Sequence, residues 1–255
     1  MKDRFHGIGR LFGNDKLTRL QDARIMVVGL GGVGSWTAEA LARTGVGHIH
    51  LVDLDDICVS NINRQLHALN STVGKLKVEV MEARFREINP ALEVTIEHSY
   101  LTHKNIEALL TWLPDVIIDC TDDVDNKCLM ARIAREKGLK LVTIGASGGR
   151  TDPTQVEVGD MCKTSNDKLL FKVRKILRQN HGFPRENKGN FGIRAVHTPE
   201  RAVYTTVDGC LTNEPKDIRE GLDCAGGYGS ASFVTGTFGL FAAAEAVKWY
   251  LAEQS

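Results

Sequence analysis

An apolar run that ends at Val28 leads into four closely spaced glycines, Gly29, Gly31, Gly32 and Gly34. Such a pattern is typical of a strand that turns into a helix whose N-terminal amides bind phosphate. Glycines that only pack a helix against a strand have the same spacing, so the pattern alone is weak evidence. It predicts a site for a phosphorylated nucleotide.

A second apolar run, His48 to Val52, ends in two carboxylates, Asp53 and Asp55. Asp53 lies about 20 residues after the last glycine, where an acid meets the ribose hydroxyls in nucleotide-binding sheets. We therefore expect Asp53 to bind a ribose, with Asp55 beside it.

Positive charge follows these carboxylates. Arg64 lies in the segment Asn61-Ile-Asn-Arg64-Gln65, and Lys75 and Lys77 follow at the start of a predicted helix. The pyrophosphate of a nicotinamide dinucleotide is bound by glycine amides and a helix N-terminus without this many cations. A triphosphate carries more charge, and cations of this kind stabilise a departing pyrophosphate. The pattern favours ATP, although solvated surface cations have the same composition.

A further apolar strand, Asp115 to Cys120, is followed by Asp122 and Asp123. Ligands bind at the carboxyl ends of parallel strands, and Mg²⁺ is held by one or two carboxylates together with phosphate oxygens. Asp122 is therefore a candidate magnesium ligand. Either aspartate could instead cap the helix that follows.

Short apolar runs alternate with helical patterns through the first part of the chain. Strands are predicted near residues 25–29, 48–53, 93–97, 115–120 and 140–144, and helices near 33–44, 74–88, 103–112 and 125–137. Such alternation predicts a doubly wound, Rossmann-like α/β fold with a mainly parallel sheet. We expect residues 1–150 to form the nucleotide-binding core.

The alternation ends at Thr151. Short strands near residues 155–158, 194–197 and 202–204 and a basic helix predict a smaller α+β lobe over the substrate side of the sheet. We expect residues 151–255, including a C-terminal helix, to pack on the core as one compact domain.

The motifs that occur in order are Gly29-Leu-Gly-Gly-Val-Gly34, Asp53, Asn61, Arg64-Gln65, Val73-Gly-Lys-Leu-Lys77 and Asp119-Cys-Thr-Asp122. In this combination they resemble the adenylating core of the ubiquitin-activating-like superfamily, which includes the molybdopterin-synthase and thiamine-pathway adenylyltransferases. The resemblance implies that a carboxylate attacks the α-phosphate of ATP, giving an acyl-adenylate and pyrophosphate. It assigns the ribose to Asp53, the phosphates to Arg64 and Lys77, and magnesium to Asp122.

Members of this superfamily also lend an N-terminal arginine to the partner's site across a dimer interface. In Arg4-Phe-His-Gly-Ile-Gly-Arg10 the matching residue is Arg10, with Arg4 as the alternative. The resemblance therefore implies a homodimer with composite sites. A monovalent cation stays open as an additional cofactor.

The second half of the chain contains Gly145-Ala-Ser-Gly-Gly-Arg-Thr-Asp152, Lys163-Thr and Asp223-Cys224-Ala-Gly-Gly-Tyr. With these stretches the chain resembles one branch of the superfamily, the tRNA threonylcarbamoyladenosine dehydratases. The branch implies ATP-dependent cyclisation of the threonylcarbamoyl group on the adenosine beside the anticodon. Adenylation turns an oxygen of the unreactive carboxylate into a leaving group, and a nucleophile in the same side chain closes the ring. Ring closure is favoured because intramolecular effective molarities reach about 10⁵ M or more.

The chain has six cysteines, none of them in a Cys-x-x-Cys pair. A structural zinc, common among adenylyltransferases that activate sulfur carriers, is therefore not expected. Unpaired cysteines without a signal peptide indicate a reducing cytoplasm. Two alternatives stay open: adenylation of the C-terminus of a sulfur-carrier protein, and a non-catalytic sulfur-trafficking adaptor with Cys162 or Cys224 as acceptor. A cysteine desulfurase would then be a partner.

Lys and Arg together number 32, as do Asp and Glu, so an RNA-binding chain of this composition must segregate its charge. Between Lys163 and Lys188 there are eight basic residues against Asp167 and Glu186. Apolar residues at helical spacing among them predict an amphipathic basic helix. We expect tRNA phosphates to bind there, although a solvated helix face has the same composition. The candidate contacts are Lys163, Lys168, Lys172, Lys175 and Arg178.

The segment 231–244 is apolar and rich in glycine and alanine. It has about 14 uncharged residues, fewer than the roughly 20 that a membrane span requires. We expect a buried helix, with membrane association of this segment as the alternative.

Overall fold

The computed structural model describes residues 4–185, 188–206, 208–214 and 228–252. Within them, one sheet contains β1 (Arg24–Val28), β2 (His48–Val52), β3 (Glu93–Glu97), β4 (Val116–Asp119), β5 (Lys140–Ile144), β6 (Glu157–Asp160) and β7 (Arg194–His197). Two further short strands, β8 (Tyr204–Thr205) and β9 (Leu211–Thr212), pair with each other.

The helices are α1 (His6–Phe12), α2 (Asn14–Asp22), α3 (Gly34–Thr44), α4 (Lys77–Ile88), α5 (Ile106–Leu110), α6 (Val124–Lys137), α7 (Lys168–Asn180) and α8 (Ser232–Leu251). Helices α3 to α6 lie where the sequence periodicity predicts them. Gly45 and Gly138 end α3 and α6 in the left-handed conformation, with φ of +86° and +67°, which glycine adopts without steric cost.

The strand order β3-β2-β1-β4-β5-β7-β6 places β1 and β4 near the middle of the sheet. Neighbouring strands are parallel except β6 and β7, which are antiparallel. The strand order reverses between β1 and β4, and a crevice forms at the carboxyl ends of strands at such a point. The predicted doubly wound, mainly parallel sheet is thus confirmed.

The strands beyond Thr151 lie differently from the predicted lobe. β7 pairs with β5, and β6 pairs with β7, so both extend the main sheet instead of covering it. In this position β7 covers an edge of β5 that would otherwise stay unpaired. Its residues Ala195 and Val196 are fully buried. The strand predicted near residues 202–204 corresponds to β8, in a separate two-stranded sheet with β9.

Alternate side chains of β1 point to opposite faces of the sheet. Ile25 and Val27 belong to an apolar cluster with α3, α4 and α8, whereas Met26 and Val28 belong to a second cluster with α5, α6 and α7. Helices therefore cover both faces, and the carboxyl ends of the central strands stay accessible.

Helix α8 packs against α3. A Cβ atom at Gly239 would lie 2.6 Å from the Val33 carbonyl oxygen and 2.8 Å from the Trp36 Cβ, so this close approach requires glycine. Ala242 and Ala246 are buried further along the same helix. The predicted C-terminal helix is thus confirmed, and it is buried on the face that packs against α3. No helix within the described ranges is long and apolar enough to cross a membrane.

Candidate active site

A cavity of about 2470 Å³ opens at the carboxyl ends of β1, β2, β4 and β5. The predicted nucleotide-binding residues that line it are Gly29, Gly31, Gly32, Asp53, Asp55, Asn61, Arg64, Gln65, Lys77 and Asp122. These residues follow β1, β2 and β4, and we call this wall the β1 side. The β5 side is lined by Arg150, Lys168, Lys172, Arg201, Tyr204 and Tyr228.

The turn after β1 requires glycine at two positions. Gly29 has a φ of +87°, and a Cβ atom at Gly34 would lie 1.8 Å from the Gly29 carbonyl oxygen. Helix α3 therefore begins in direct contact with the end of β1. At Gly31 a Cβ atom would meet no atom within 4 Å, and this residue lines the cavity. The turn thus presents bare backbone to a ligand.

Two buried side chains fix the backbone of this turn at Leu30. The Leu30 N–H donates to Asp53 Oδ2 at 2.5 Å, and the Leu30 carbonyl accepts from His67 Nε2 at 2.9 Å. Burial raises the pKa of Asp53, although the charge of Lys77 opposes this. Burial lowers the pKa of His67 to about 4, so its ring is neutral at pH 7. The glycine turn is therefore held on both sides by the protein itself.

Lys77 is almost completely buried and bound to two carboxylates. Its Nζ lies 2.7 Å from Asp55 Oδ2 and 3.9 Å from Asp53 Oδ1, and the Tyr100 hydroxyl donates to Asp55 Oδ1 at 2.7 Å. Burial raises the pKa of Asp55, but hydrogen bonds from Lys77 and Tyr100 outweigh burial, so this pKa is lowered overall. In this geometry Lys77 orients the carboxylates predicted to meet the ribose, and its predicted contact with the phosphates stays a prediction.

Arg64 lies over the glycine turn. A Cβ atom at Gly32 would be 3.2 Å from the Arg64 Cγ. The Arg64 Nη1 donates to the Ser60 carbonyl at 2.8 Å and to Asn63 Oδ1 at 3.0 Å. The side chain is partly exposed at the cavity, so its charge is available to a bound anion.

Asn61 and Gln65 are both buried in the cavity wall. Asn61 Oδ1 accepts from the Cys58 N–H at 3.1 Å and so stabilises a short helical turn over Val59–Asn61. Gln65 Oε1 has no hydrogen-bond partner in the part of the chain that the structure describes. Asn61 therefore supports the turn, whereas Gln65 keeps an unused acceptor.

The structure separates the two aspartates that follow β4. Asp123 Oδ1 accepts from the Asn126 N–H at 2.7 Å and caps α6. Asp122 is exposed at the cavity and forms no hydrogen bond or ion pair with a described residue. Helix capping therefore does not account for Asp122. The described residues contain no group of three or more His, Cys, Asp or Glu side chains that could hold a metal ion.

A buried ion pair supports the loop that carries Asp122. Lys127 Nζ lies 3.0 Å from Asp119 Oδ2, which also accepts from the Thr143 hydroxyl at 2.7 Å. Asp119 Oδ1 accepts from the N–H and the hydroxyl of Thr121, at 3.1 and 2.7 Å. Sequence patterns do not identify Lys127, because a lysine on a predicted helix is usually exposed.

The two N-terminal arginines have different surroundings. Arg4 Nη1 donates to the Ile88 carbonyl at 2.7 Å and to the Glu87 carbonyl at 3.2 Å, at the end of α4. Arg10 is exposed on α1, does not line the cavity, and has no polar contact with a described residue. Arg4 therefore stabilises a helix C-terminus, which leaves Arg10 as the arginine with an unassigned role.

Helix α7 is the amphipathic helix that the sequence predicts, with Leu170, Val173 and Leu177 on its buried face. Its lysines Lys168, Lys172 and Lys175 are spaced i, i+4 and i+7 and so share one face, on which Lys168 and Lys172 line the cavity and Lys175 is exposed beside it. Lys163 precedes the helix and is exposed outside the cavity.

The two arginines of α7 have structural contacts. Arg178 Nε donates to the Pro184 carbonyl at 3.3 Å, and its guanidinium lies 5.4 Å from the centre of the Phe191 ring. Arg174 is buried and donates to the Thr164 hydroxyl. Among the predicted contacts, Lys163, Lys172 and Lys175 are exposed, and Lys168 donates to the Tyr204 hydroxyl at the cavity. Binding of RNA by these residues stays a prediction.

The described cysteines are free thiols. Burial raises the pKa of Cys120 to about 12 and the pKa of Cys128 to about 11, and it also raises the pKa of Cys162. The thiolate is the nucleophilic form of a cysteine, and a raised pKa lowers its population at Cys162. Cys224, the other candidate acceptor, lies outside the described residues.

Comparison with known proteins agrees with this geometry. The sequence profile of the ThiF family matches residues 7–255. A tRNA threonylcarbamoyladenosine dehydratase of Haemophilus influenzae is 42% identical over 100% of this chain and 95% of its own length. The solved structure of the E. coli tRNA N6-threonylcarbamoyladenosine dehydratase in complex with ATP is 41% identical, with a TM-score of 0.88 over 99% of this chain and 95% of that chain. Its complex with AMP gives a TM-score of 0.87 over 99% and 96%.

The matches extend from the glycine turn through α8, so they include both sides of the cavity. They confirm the resemblance to the tRNA threonylcarbamoyladenosine dehydratase branch. The chain belongs to the ThiF family.

Proposed function

We propose that this chain is an ATP-dependent tRNA threonylcarbamoyladenosine dehydratase, which adenylates the threonyl carboxylate and then closes the ring within the same side chain. The observation that carries the proposal is the shared cavity, in which a glycine turn and two aspartates face a wall with several cations. A nucleotide and a polyanionic substrate can meet there. Relatives of this name match the whole chain, and one of them is solved with ATP.

The β1 side would hold the nucleotide. The amides of the glycine turn suit the phosphates of the nucleotide. The hydrogen bonds of Leu30 with Asp53 and His67 hold the backbone of this turn in place. Asp53 and Asp55, oriented by Lys77, would accept hydrogen bonds from the ribose hydroxyls. The partly exposed guanidinium of Arg64 would bind the phosphates.

Asp122 is the proposed ligand of a magnesium ion. Its carboxylate is exposed at the cavity and is not used to cap α6, and Mg²⁺ typically takes one or two carboxylates with phosphate oxygens. When bound, the ion would neutralise charge on the phosphates as pyrophosphate leaves. A monovalent cation is a second candidate, which replacement of potassium by sodium in the assay would test.

The β5 side would hold the tRNA. Lys168 and Lys172 at the cavity and Lys175 beside it form a basic surface along α7 that suits an RNA backbone. The cytoplasm is the compartment that we propose for such an enzyme, in line with the prediction from its unpaired cysteines.

We also propose a homodimer in which Arg10 enters the partner's cavity. Arg10 has no polar contact with a described residue, and Phe233, Leu240 and Phe241 form an exposed apolar surface on α8 that a second copy could cover. Mixing an Arg10→Ala protein with an Asp122→Asn protein tests this, because each hybrid dimer would contain one intact site. About a quarter of wild-type activity should return after random exchange. A lack of complementation, with subunit exchange verified, would place each site within one chain.

The activity itself is tested by incubating the protein with ATP, magnesium and tRNA that carries threonylcarbamoyladenosine, then digesting the RNA and weighing its nucleosides. We expect the modified nucleoside to lose one water in the presence of ATP, with AMP formed in equal amount. Omission of ATP is the control. Unchanged nucleosides, together with adenylation of a sulfur-carrier protein by the same sample, would establish the alternative activity instead.

A further inference from the structure

Arg150 lies in a loop after β5 whose backbone is fixed on both sides. The Gly149 N–H donates to the Gly229 carbonyl at 2.7 Å, and the Gly149 carbonyl accepts from the Val203 N–H at 2.8 Å. Gly149 has a φ of +69°, and a Cβ atom there would be 2.8 Å from the Tyr228 Cδ1. The loop is therefore held in one position against the segments that carry Val203 and Tyr228.

The guanidinium of Arg150 is buried with unused donors. The residue is 4% exposed, and its Nη2 donates to the Asn166 carbonyl at 2.9 Å. Its Nε and Nη1 are buried without a hydrogen-bond partner among the described residues. The oxygens of the neighbouring Asp167 accept from the N–H groups of Leu170 and Ala146, and neither accepts from these two donors.

An unpaired buried cation is costly, and proteins usually satisfy such a group with an acceptor. Arg150 also lines the cavity. An acceptor on a bound molecule would therefore remove the free-energy cost of burying the unpaired donors of Arg150, which no described residue removes. Carboxylate and phosphate oxygens are the acceptors that a guanidinium binds most strongly.

Two tyrosines lie beside this guanidinium on the β5 side. The rings of Tyr204 and Tyr228 are 5.0 Å apart, and their hydroxyls are 3.2 Å apart. Lys168 Nζ donates to the Tyr204 hydroxyl at 2.5 Å, which fixes that ring. Tyr228 is 46% exposed and lines the cavity. An exposed aromatic face of this kind stacks on an unpaired base.

We propose that Arg150, Tyr204 and Tyr228 form the subsite for the target nucleotide of the tRNA. An oxyanion of that nucleotide binds the free donors of Arg150, and its base stacks on Tyr228, which Tyr204 supports from behind. The inference rests on the proposed function, because it takes an RNA nucleotide as the substrate. The oxyanion is either the threonyl carboxylate or a backbone phosphate, which share the same chemistry toward a guanidinium.

The test uses a fluorescent anticodon stem-loop, with and without the threonylcarbamoyl group, and measures its dissociation constant by anisotropy. Arg150→Gln should weaken binding of the modified stem-loop about 10- to 100-fold, because it removes a charge-assisted hydrogen bond. If the carboxylate is the ligand, binding of the unmodified stem-loop stays unchanged. If a phosphate is the ligand, both stem-loops lose affinity equally.

The matched control is Arg86→Gln, which removes the same charge from an exposed arginine paired with Glu82 on α4. Equal affinities of the Arg150→Gln and Arg86→Gln proteins for the modified stem-loop would overturn the role of Arg150. The dissociation constant for ATP and the melting temperature show whether each variant is folded.

Tyr228 provides a second test that does not disturb a buried charge. Tyr228→Phe keeps the ring and should bind the modified stem-loop like wild type, whereas Tyr228→Leu should lose at least about 5-fold in affinity. Equal binding by the two variants would contradict stacking. Dehydration by the wild-type protein is measured separately. The proposed subsite can therefore be disproved while the proposed function holds, and the proposed function can be disproved while the subsite holds.

Discussion

The polar side chains on the two sides of the cavity differ in whether they have hydrogen-bond partners within the protein. On the β1 side, Asp53, Lys77 and His67 bind one another or the backbone of the glycine turn. On the β5 side, Lys172 and Arg201 are exposed without a polar contact to a described residue, and Arg150 keeps buried donors unpaired. The buried polar groups around the glycine turn are therefore organised by the protein itself, whereas Arg150, Lys172 and Arg201 on the β5 side have donors that no described residue occupies.

This difference fits two ligands of different size. A nucleotide is small and always has the same structure, so a preorganised site binds it without the cost of ordering side chains. An RNA loop brings its own charges and shape, and exposed lysines can follow its backbone at little cost when it is absent.

The largest effect is expected from Asp122→Asn, which removes a carboxylate from the β1 side. AMP formation should fall by about 10²- to 10³-fold or more, because this removes the carboxylate proposed to hold the ion that would neutralise the leaving pyrophosphate. ATP binding measured by calorimetry should persist. Asp123→Asn is the control, because asparagine also caps a helix. Near-normal turnover of the Asp122→Asn protein would remove Asp122 from the mechanism.

Lys127→Met should destabilise the fold by about 3–5 kcal/mol, since it leaves the Asp119 carboxylate buried and uncompensated. Denaturant unfolding measures this loss. Combining it with Asp119→Asn should recover part of the stability, because the buried charge is then absent. A double variant as unstable as Lys127→Met alone would show that packing, and not charge, sets the cost.

Lowering the pH should reduce the free energy of unfolding through His67, on the β1 side. Its folded pKa of about 4 lies below the unfolded value of 6.5, so the unfolded chain binds a proton first as the pH falls. The contribution is complete above pH 6.5 and is lost as the pH falls toward 4, by about 2 kcal/mol between pH 7 and 5. His67→Gln should lose less stability over this interval in chemical unfolding curves. Parallel curves for the two proteins would contradict the assignment.

The smallest effect is expected on the β5 side. Exchanging Lys172 and Lys175 for glutamate should raise the tRNA KM about 10-fold and lower the slope of log affinity against log salt by about 2. The ATP affinity should not change, because neither residue lies on the β1 side. Lys137→Glu, at the end of α6, serves as the control. Unchanged salt dependence would mean that the RNA binds elsewhere.

The first half of the fold could be predicted because each parallel strand is a short apolar run followed by a helical pattern. β2 and β4 were located to within about two residues on this basis. The strand β7 lies at the predicted residues 194–197, but its place in the sheet could not be predicted in the same way. It pairs with β5 across about 50 intervening residues, and a strand's local pattern does not indicate its partner.

The candidate site shows the same division. Asp53, Arg64 and Asp122 are recognisable because their types and spacing match a known motif, and all of them line the cavity. His67 and Lys127 could not be recognised, because their role depends on burial against a backbone carbonyl or a carboxylate. The role of a buried polar residue depends on its contacts with residues that are distant in the sequence.

The contact between α8 and the glycine turn has a consequence for synthesis on the ribosome. The Thr235 hydroxyl lies 3.4 Å from the Arg64 carbonyl, 171 positions earlier in the chain, and a Cβ atom at Gly32 would be 3.3 Å from the Thr235 methyl group. The wall behind the turn therefore forms only after α8 has left the ribosomal tunnel. A nascent chain that contains the complete motif still lacks this support until α8 is synthesised.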